Sequence, residues 1–203
     1  HWQLNCDLVV PELTPAYELE MFRLIQALMQ AFGAKPTDYV IRYNHRGLCD
    51  QLFQSQFKIQ DEEIRRQIFF LLDRVEKSTP EELQKMAPKE VLDVFGQIYA
   101  FLKERLDPKK VFQGLKSVPA CEEFLTLAEA VGSLGKFDPT VVRGFEYYTG
   151  LVFEVVDTHP DNRRAILGGG RYDNLIGQFS KQQLQGIGFG WGDVTFRDFL
   201  TVH

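Results

Sequence analysis

The chain has 203 residues, of which 44% are hydrophobic and 25% charged, as in an ordinary globular protein that is long enough to bury a sizeable core. No apolar run approaches the ~20 residues of a membrane-spanning helix, which argues against a membrane protein. The formal net charge of -5 argues against a protein that grips nucleic acid through its overall charge, although a local basic patch could still do so.

The first six residues carry neither a basic leader nor an apolar signal core, so we expect no export and predict a cytoplasmic protein. The chain lacks an initiator methionine and begins inside an apparent strand, which predicts that it is a fragment of a longer protein. Its three cysteines, Cys6, Cys49 and Cys121, are widely spaced, which favours reduced thiols. Neither they nor the four scattered histidines have metal-ligand spacing, so we expect no protein-bound metal.

A strand and a helix open the chain. Residues 2–10 alternate apolar and polar side chains, which predicts a strand. The polar members share one face at period two: Gln3, Asn5 and Asp7. Thr14 as the N-cap and Pro15 in the first turn predict a helix that ends at Gly33. A short strand is predicted over residues 39–43.

Charged amphipathic helices then replace the strands. The predicted helices cover residues 47–53, 61–77, 81–86, 89–106 and 121–132. Thr79, followed three residues later by Glu82, forms a capping-box start. We interpret residues 46–135 as a helical insertion into a core formed by residues 1–45 and 136–203.

Strand patterns return after the helical segment. We predict strands over residues 140–143, 151–157 and 186–190, and helices over residues 172–179 and 193–202. The order of elements predicts an α/β (α+β) fold in which helices flank an antiparallel or mixed sheet.

Arg143 and the tyrosine pair after it are the first candidates for chemistry. Arg143 follows two valines and precedes a glycine, so its planar guanidinium could bind a phosphate or carboxylate at a strand end. The alternative is an internal salt bridge, to Glu146 or Asp157. Tyr147 and Tyr148 are neighbours, so one could pack in the core while the other lines a pocket.

Two glycine-rich segments are the next candidates. Residues 168–170 are three consecutive glycines, which let a flat ligand or a phosphate lie against main chain, or else form a β-bulge or tight turn. Their spacing fits neither a P-loop nor a dinucleotide fingerprint. Residues 186–192 alternate glycine with Ile187, Phe189 and Trp191, which predicts a strand with one bare face. That face suits an adenine ring or close packing of another element.

Together these motifs resemble those of the histidyl-tRNA synthetases, which are class II aminoacyl-tRNA synthetases. Residues 143–150 (RGFEYYTG) look like the family's first histidine-specific signature, and residues 168–175 look like the second. Residues 188–192 resemble the start of the third class II motif, and residues 1–8 resemble the second strand of motif 2. The resemblance covers essentially the whole chain, including the helical insertion.

The resemblance implies activation of histidine with ATP, giving histidyl-adenylate and pyrophosphate, and then transfer of histidine to its tRNA. It also implies Mg²⁺ with the ATP, and a homodimeric parent protein. Arg143 matches the arginine that approaches the α-phosphate and assists catalysis, where phosphate charge develops. The resemblance also places Arg143 among the histidine-binding residues.

The resemblance assigns roles to the other matched positions. Tyr148 matches a tyrosine that contacts the imidazole of histidine, and Tyr172 lies beside the same pocket. Gln3 matches a residue that holds the substrate amino group, and Asp7 matches a glutamate that hydrogen-bonds the imidazole. Five glycines are expected to form the pocket floor or contact ATP: Gly168, Gly169, Gly170, Gly190 and Gly192.

Some positions depart from the family pattern. Asp7 is one methylene shorter than the usual glutamate, and Glu146 is one longer than the usual aspartate. The motif 3 arginine that clamps ATP falls on Thr195, with Arg197 two residues later. Motif 1, the first half of motif 2 and an anticodon-binding domain are not found in these residues. The alternative is therefore a paralogue that does not aminoacylate, such as the regulatory subunit of ATP phosphoribosyltransferase.

Overall fold

A computed structural model describes residues 2–144, 147–162 and 164–203. In these ranges six strands form one sheet, in the order β1-β6-β5-β4-β2-β3. The strands are β1 Gln3–Val10, β2 Tyr39–His45, β3 Lys136–Phe137, β4 Leu151–Asp157, β5 Ala165–Tyr172 and β6 Gln185–Gly192. All neighbours pair antiparallel except β2 and β3, which are parallel. The prediction of helices around an antiparallel or mixed sheet is confirmed.

Eight α-helices surround this sheet in the described part of the chain. They are α1 Pro15–Ala31, α2 Arg46–Ser55, α3 Glu62–Arg74, α4 Pro80–Gln84, α5 Lys89–Lys103, α6 Pro108–Val111, α7 Pro119–Val131 and α8 Asp193–Val202. The capping box of α4 forms as predicted, because Thr79 N donates to Glu82 Oε2 at 2.8 Å and Glu82 N donates to Thr79 Oγ1 at 3.3 Å. No helix of the described residues is long and apolar enough to cross a membrane.

The predicted strand over residues 140–143 is wrong. The segment is irregular, and side chains bind several of its backbone groups in place of a strand partner. The Asn44 side-chain amide donates to the carbonyls of Pro139 and Val141 at 3.0 and 3.1 Å. The Asp138 carboxylate accepts from Thr140 N at 3.0 Å, which turns the chain here.

The predicted helix over residues 172–179 is also wrong. Strand β5 continues to Tyr172, which pairs with Gly186 of β6, and only a short 3₁₀ turn, Ile176–Gln178, follows. The three glycines 168–170 therefore lie inside a strand, not in a tight turn, and the sheet irregularity falls between Val155 and Val156 of β4. The Arg143 and Tyr148 side chains fill the space beside Gly168 and Gly170, and the β6 backbone fills the space beside Gly169.

The hydrophobic core lies on one face of the sheet. Phe22 of α1 packs against Tyr43 and Phe153, with ring centroids 5.4 and 5.9 Å apart. Phe124 of α7 packs against Tyr43 at 6.1 Å. Buried residues of α2, α3, α5 and α7 belong to the same core cluster as those of the strands. The division into a core and an insertion over residues 46–135 stays a prediction.

Candidate active site

A cavity of about 600 Å³ lies on the other face of the sheet. That volume is in the range of small-molecule sites. Its polar and aromatic lining includes Gln3, Asn5, Asp7, Arg143, Tyr147, Tyr148 and Tyr172, and its apolar lining includes Leu175, Ile176 and Phe179. The strand β1 supplies three of these side chains from its one polar face, as the period-two pattern predicts.

The floor of the cavity is the glycine face of β6. Ile187, Phe189 and Trp191 alternate with the glycines and are buried in the core on the opposite face. Neighbouring side chains occupy the space that Cβ atoms would take: the Tyr172 ring at Gly186, the Asp7 carboxylate at Gly188 and the Gln3 amide at Gly190. The prediction of one bare face is confirmed, and the bare backbone lets polar groups approach the floor closely.

Three tyrosines form one wall. The Tyr172 hydroxyl donates to Asp7 Oδ1 at 2.7 Å. The rings of Tyr147 and Tyr148 lie 4.5 Å apart, and Tyr147 meets Tyr172 edge-on at 6.1 Å. Burial raises the pKa of Tyr172, and its bond to Asp7 raises it further, so this hydroxyl stays protonated. Both tyrosines of the pair line the cavity, although Tyr148 is buried and Tyr147 is half-exposed.

Arg143 enters the cavity from the irregular segment before β4. Its backbone φ is 54°, in the left-handed region, and its guanidinium lies over Gly168, where a Cβ would overlap it. The Nη1 atom lies 3.2 Å from Glu154 Oε2. The predicted salt bridge from Arg143 to Asp157 is wrong. The Asp157 carboxylate instead accepts from Asn162 at 2.6 Å and contacts His203 at 2.7 Å. The other predicted partner, Glu146, lies outside the described residues.

The two charges of the cavity lie over different cross-strand rows, because Arg143 lies over Gly168, which pairs with Gly190, and Asp7 lies against Gly188, which pairs with Gly170. Of the described residues that line the cavity, Arg143 is the only cation and Asp7 the only carboxylate. Arg143 suits a carboxylate or phosphate. Asp7 and Tyr172 suit an N–H group such as that of an imidazole. This arrangement can hold a small molecule that carries an anionic group at one end and a nitrogen ring at the other.

A family model described as histidyl-tRNA synthetase matches residues 12–192. The chain belongs to the histidyl-tRNA synthetase family. It is 38% identical to the histidine–tRNA ligase of Leptospira biflexa serovar Patoc, a match that covers 100% of this chain and 48% of the relative. It is 32% identical to that of Thermoplasma volcanium, covering 95% and 46%. The chain thus spans about half the length of these relatives.

Solved structures show the same fold. The histidyl-tRNA synthetase of Nostoc sp. PCC 7120 has a TM-score of 0.77 at 24% identity, covering 98% of this chain and 50% of that one. An ATP phosphoribosyltransferase regulatory subunit/histidyl-tRNA synthetase of Bacillus halodurans has a TM-score of 0.65 at 20% identity, covering 93% and 50%. At these identities the likeness establishes the fold alone.

The structure brings most of the family-matched positions together. Seven line the cavity: Gln3, Asp7, Arg143, Tyr148, Gly168, Tyr172 and Gly190. Gly170 lies against the Tyr148 ring. Gly169 has the opposite parity and packs against the β6 backbone, and Gly192 flanks the start of α8. Gly169, Gly170 and Gly192 do not line the cavity, so they do not form its floor, and contact of these glycines with ATP stays a prediction.

The position that resembles the motif 3 arginine is outside the cavity. The Thr195 hydroxyl lies within hydrogen-bond distance of the carbonyl oxygens of Ile166 and Gly192, at 3.2 and 3.3 Å. Arg197 is exposed on α8, with its guanidinium 3.7 Å from Asp198. Neither residue lines the cavity. The cation expected at the nucleotide end of a synthetase site is therefore supplied by neither of them.

Sequence reasoning missed residues that support the wall. Arg171 contacts Asp173 Oδ1 at 2.8 Å and Glu18 Oε1 at 3.5 Å. Asp173 Oδ2 accepts from the hydroxyl of Thr149 at 2.6 Å, next to Tyr148. These bonds tie the Tyr148–Thr149 segment to β5 and α1. The available signal was a charged residue, Glu18, on the otherwise apolar face of α1.

Asn5 also lines the cavity, although the family resemblance assigned it no role. It shares the β1 face of Gln3 and Asp7, and it pairs with Gly190 of β6. The same period-two pattern that singled out its neighbours places Asn5 in the cavity.

Proposed function

We propose that this chain forms the histidine-binding side of the active site of a histidine–tRNA ligase. The whole protein would activate histidine with ATP and transfer it to histidine tRNA. One observation carries the proposal: a glycine-floored cavity holds Arg143 apart from the Asp7–Tyr172 pair in a member of the histidyl-tRNA synthetase family.

The residues suggest how the first step would proceed. The substrate imidazole would donate to Asp7 beside Tyr172 and Tyr148, and Gln3 would hold the amino group. A carboxylate oxygen would then attack the α-phosphorus of ATP, forming a C–O–P bond while the bond to the β-phosphate breaks and pyrophosphate leaves. Arg143 would donate hydrogen bonds to the phosphate oxygens as negative charge builds up on them.

Mg²⁺ would arrive bound to ATP. Among the described residues, no group of three or more His, Cys, Asp or Glu could hold a metal ion. Magnesium usually binds one or two carboxylates together with substrate phosphates, so a protein cage is not required. From family membership we further propose a homodimer that acts in the cytoplasm.

Thr195 favours a second candidate function. Its hydroxyl caps backbone carbonyls instead of extending a cation to the cavity. A paralogue that binds histidine without aminoacylating needs no such cation. A solved structure with the same fold is an ATP phosphoribosyltransferase complex of Thermotoga maritima, with a TM-score of 0.58.

Pyrophosphate exchange separates the two candidates. We expect the whole protein to exchange pyrophosphate into ATP only when histidine is present. The 203-residue chain alone should exchange poorly. Calorimetry with histidine measures binding independently of turnover. Binding without exchange in the whole protein would instead support the regulatory paralogue.

Arg143→Ala tests the assignment of the cation. We expect kcat for exchange to fall by about 10²–10³, because a preorganised donor to the developing charge is lost. The KM for histidine should change by less than about threefold. Arg23→Ala is the control, since Arg23 is exposed on α1 beside Glu20. Equal losses in kcat and in histidine affinity would contradict the assigned role.

A further inference from the structure

One cross-strand row of the sheet carries Arg42, Glu154 and Gly168 side by side on β2, β4 and β5. Directly paired residues of adjacent strands point to the same face. At Gly168 a Cβ would overlap the Arg143 guanidinium, and from there the row continues to Gly190 of β6 and Asn5 of β1. Arg143 therefore fills the gap that the glycine leaves in this row.

The backbone of Arg143 is in an unfavourable conformation. A φ of 54° costs a non-glycine residue on the order of 1–3 kcal/mol, so the surrounding contacts must hold it in place. From the α2 side, Arg46 Nη1 donates to the carbonyls of Val142 and Arg143, both at 2.9 Å. These bonds fix the main chain, but they leave the direction of the Arg143 side chain to other residues.

Glu154 fixes that direction. Its Oε2 lies 3.2 Å from Arg143 Nη1, and its Oε1 accepts from Arg42 Nη2. The side chains of Glu154 and Arg143 are 10% and 19% exposed, so solvent screens the pair less than a surface salt bridge. With one oxygen committed to each arginine, the carboxylate cannot rotate without breaking a charge-assisted bond.

Arg42 is in turn held by acidic residues on its far side. Its Nη1 lies 3.2 Å from both Asp138 Oδ2 and Glu76 Oε2. Glu76 is more exposed and also lies 3.7 Å from Lys103 of α5. Charges thus alternate from the helical segment, through Arg42 and Glu154, to Arg143 in the cavity.

We propose that Glu154 and Arg42 are positioning residues that hold the Arg143 guanidinium against Gly168, directed at the site of the substrate phosphate. The statement that the guanidinium is directed at a substrate phosphate rests on the proposed function. The positioning itself rests on the row and its bonds. Glu76 is the outer, solvent-screened member and contributes least.

Glu154→Gln is the first test. The amide keeps an oxygen for one arginine but loses the charge that binds both. We expect kcat for pyrophosphate exchange in the whole protein to fall about tenfold or more, because small displacements of a positioning group strongly reduce rate. The KM for histidine should change by less than about threefold. An unchanged kcat would overturn the proposal.

Substitutions of Arg42 test the second residue. Arg42→Met should lower kcat as Glu154→Gln does, and Arg42→Lys should restore part of it by keeping the charge. The double variant R42M/E154Q should be no slower than the slower single variant, since both act on one group. Fully additive losses of kcat in the double variant would contradict the proposal that Arg42 and Glu154 both act through Arg143.

Asp50→Asn is the matched control. It breaks a similar pair within the helical segment, in which Arg65 Nε lies 2.7 Å from Asp50 Oδ1. Its thermal stability should fall comparably while its kcat stays at the wild-type value. If kcat fell in proportion to stability in both variants, Glu154 would have only a structural role.

A crystal structure of the Glu154→Gln chain gives a readout that needs no activity. The Arg143 guanidinium should move off Gly168, and in Asp50→Asn it should stay. An unmoved guanidinium in Glu154→Gln would overturn the positioning role whatever the reaction is. A moved guanidinium in a protein whose wild type shows no exchange would instead reject the proposed function and leave the positioning role standing.

Discussion

The two faces of the sheet are built from alternate residues of the same strands, yet they follow different rules. On the core face, Phe153, Leu167, Phe189 and Trp191 are buried against helices. On the cavity face of β5 and β6, glycines take the matching positions, and side chains from other segments fill the space above them. The core face is held by apolar volume, whereas the cavity face combines a small apolar cluster of Val141, Tyr148, Val152 and Tyr172 with a few directed polar contacts.

This difference separates stability from function. Burial of apolar surface is non-directional and scales with area, so losses on the core face should reduce folding stability. The polar contacts on the cavity face set where a guanidinium or carboxylate points. Substitutions of these polar contacts should alter ligand binding and reaction rate while changing folding stability little. Substitutions on each face can break or sharpen this contrast.

Phe153→Ala should have the largest effect. Phe153 is fully buried on the core face and packs against Phe22. The substitution removes apolar contacts and leaves a cavity, so the free energy of unfolding should fall by about 3–5 kcal/mol. Urea unfolding followed by circular dichroism measures this. Phe70→Ala on α3 is the control, since its side chain is exposed, and a similar loss there would contradict the contrast.

Gly168→Ala, on the cavity face, should have a smaller effect on stability and should mainly lower the rate of pyrophosphate exchange. The new methyl group would overlap the Arg143 guanidinium, which is the far end of a flexible side chain and can move away. We expect a change in unfolding free energy within about 1 kcal/mol. Exchange should slow by about tenfold or more as Arg143 is displaced. Gly96→Ala, where a Cβ meets open space, is the control, and an unaffected rate in Gly168→Ala would argue against the contact.

The sequence predicts much of the core face. Apolar alternation and helical spacing are local signals, and strands β4 and β6 and helix α8 lie where they were expected. The segment with Val141 and Val142 looked like a strand for the same reason. It failed because the Asn44 amide, from a distant strand, binds the backbone carbonyls that a strand partner would have taken.

The cavity face is predictable only in part. The period-two pattern of β1 places Gln3 and Asp7 correctly, because both lie on one short strand. The Arg42–Glu154 pair could not be found in this way, since 112 positions separate the two residues. Their contact depends on the register of β2 against β4, which no local pattern specifies.

Glu18→Gln tests an exception on the core face, and its effect should appear in the pH dependence of folding stability. Burial raises the pKa of Glu18 from 4.5 to about 7, and the nearby Arg171 only partly opposes the shift. The folded chain therefore holds this proton more tightly than the unfolded chain. The stabilisation is complete below pH 4.5 and is lost as the pH rises to about 7.

The Glu18→Gln chain should lack this part of the pH dependence. Between pH 5 and 8 its melting temperature should fall less than that of the wild type, because this carboxyl no longer titrates. Asp173 and Glu123 also face Glu18 and stay unchanged in both proteins, so the difference isolates one carboxyl. Glu20→Gln, exposed on the same helix, should keep the wild-type slope. Equal slopes of melting temperature against pH for wild type and Glu18→Gln would mean that Arg171 fully compensates the buried charge of Glu18. Directed polar contacts could then match apolar packing even inside the core.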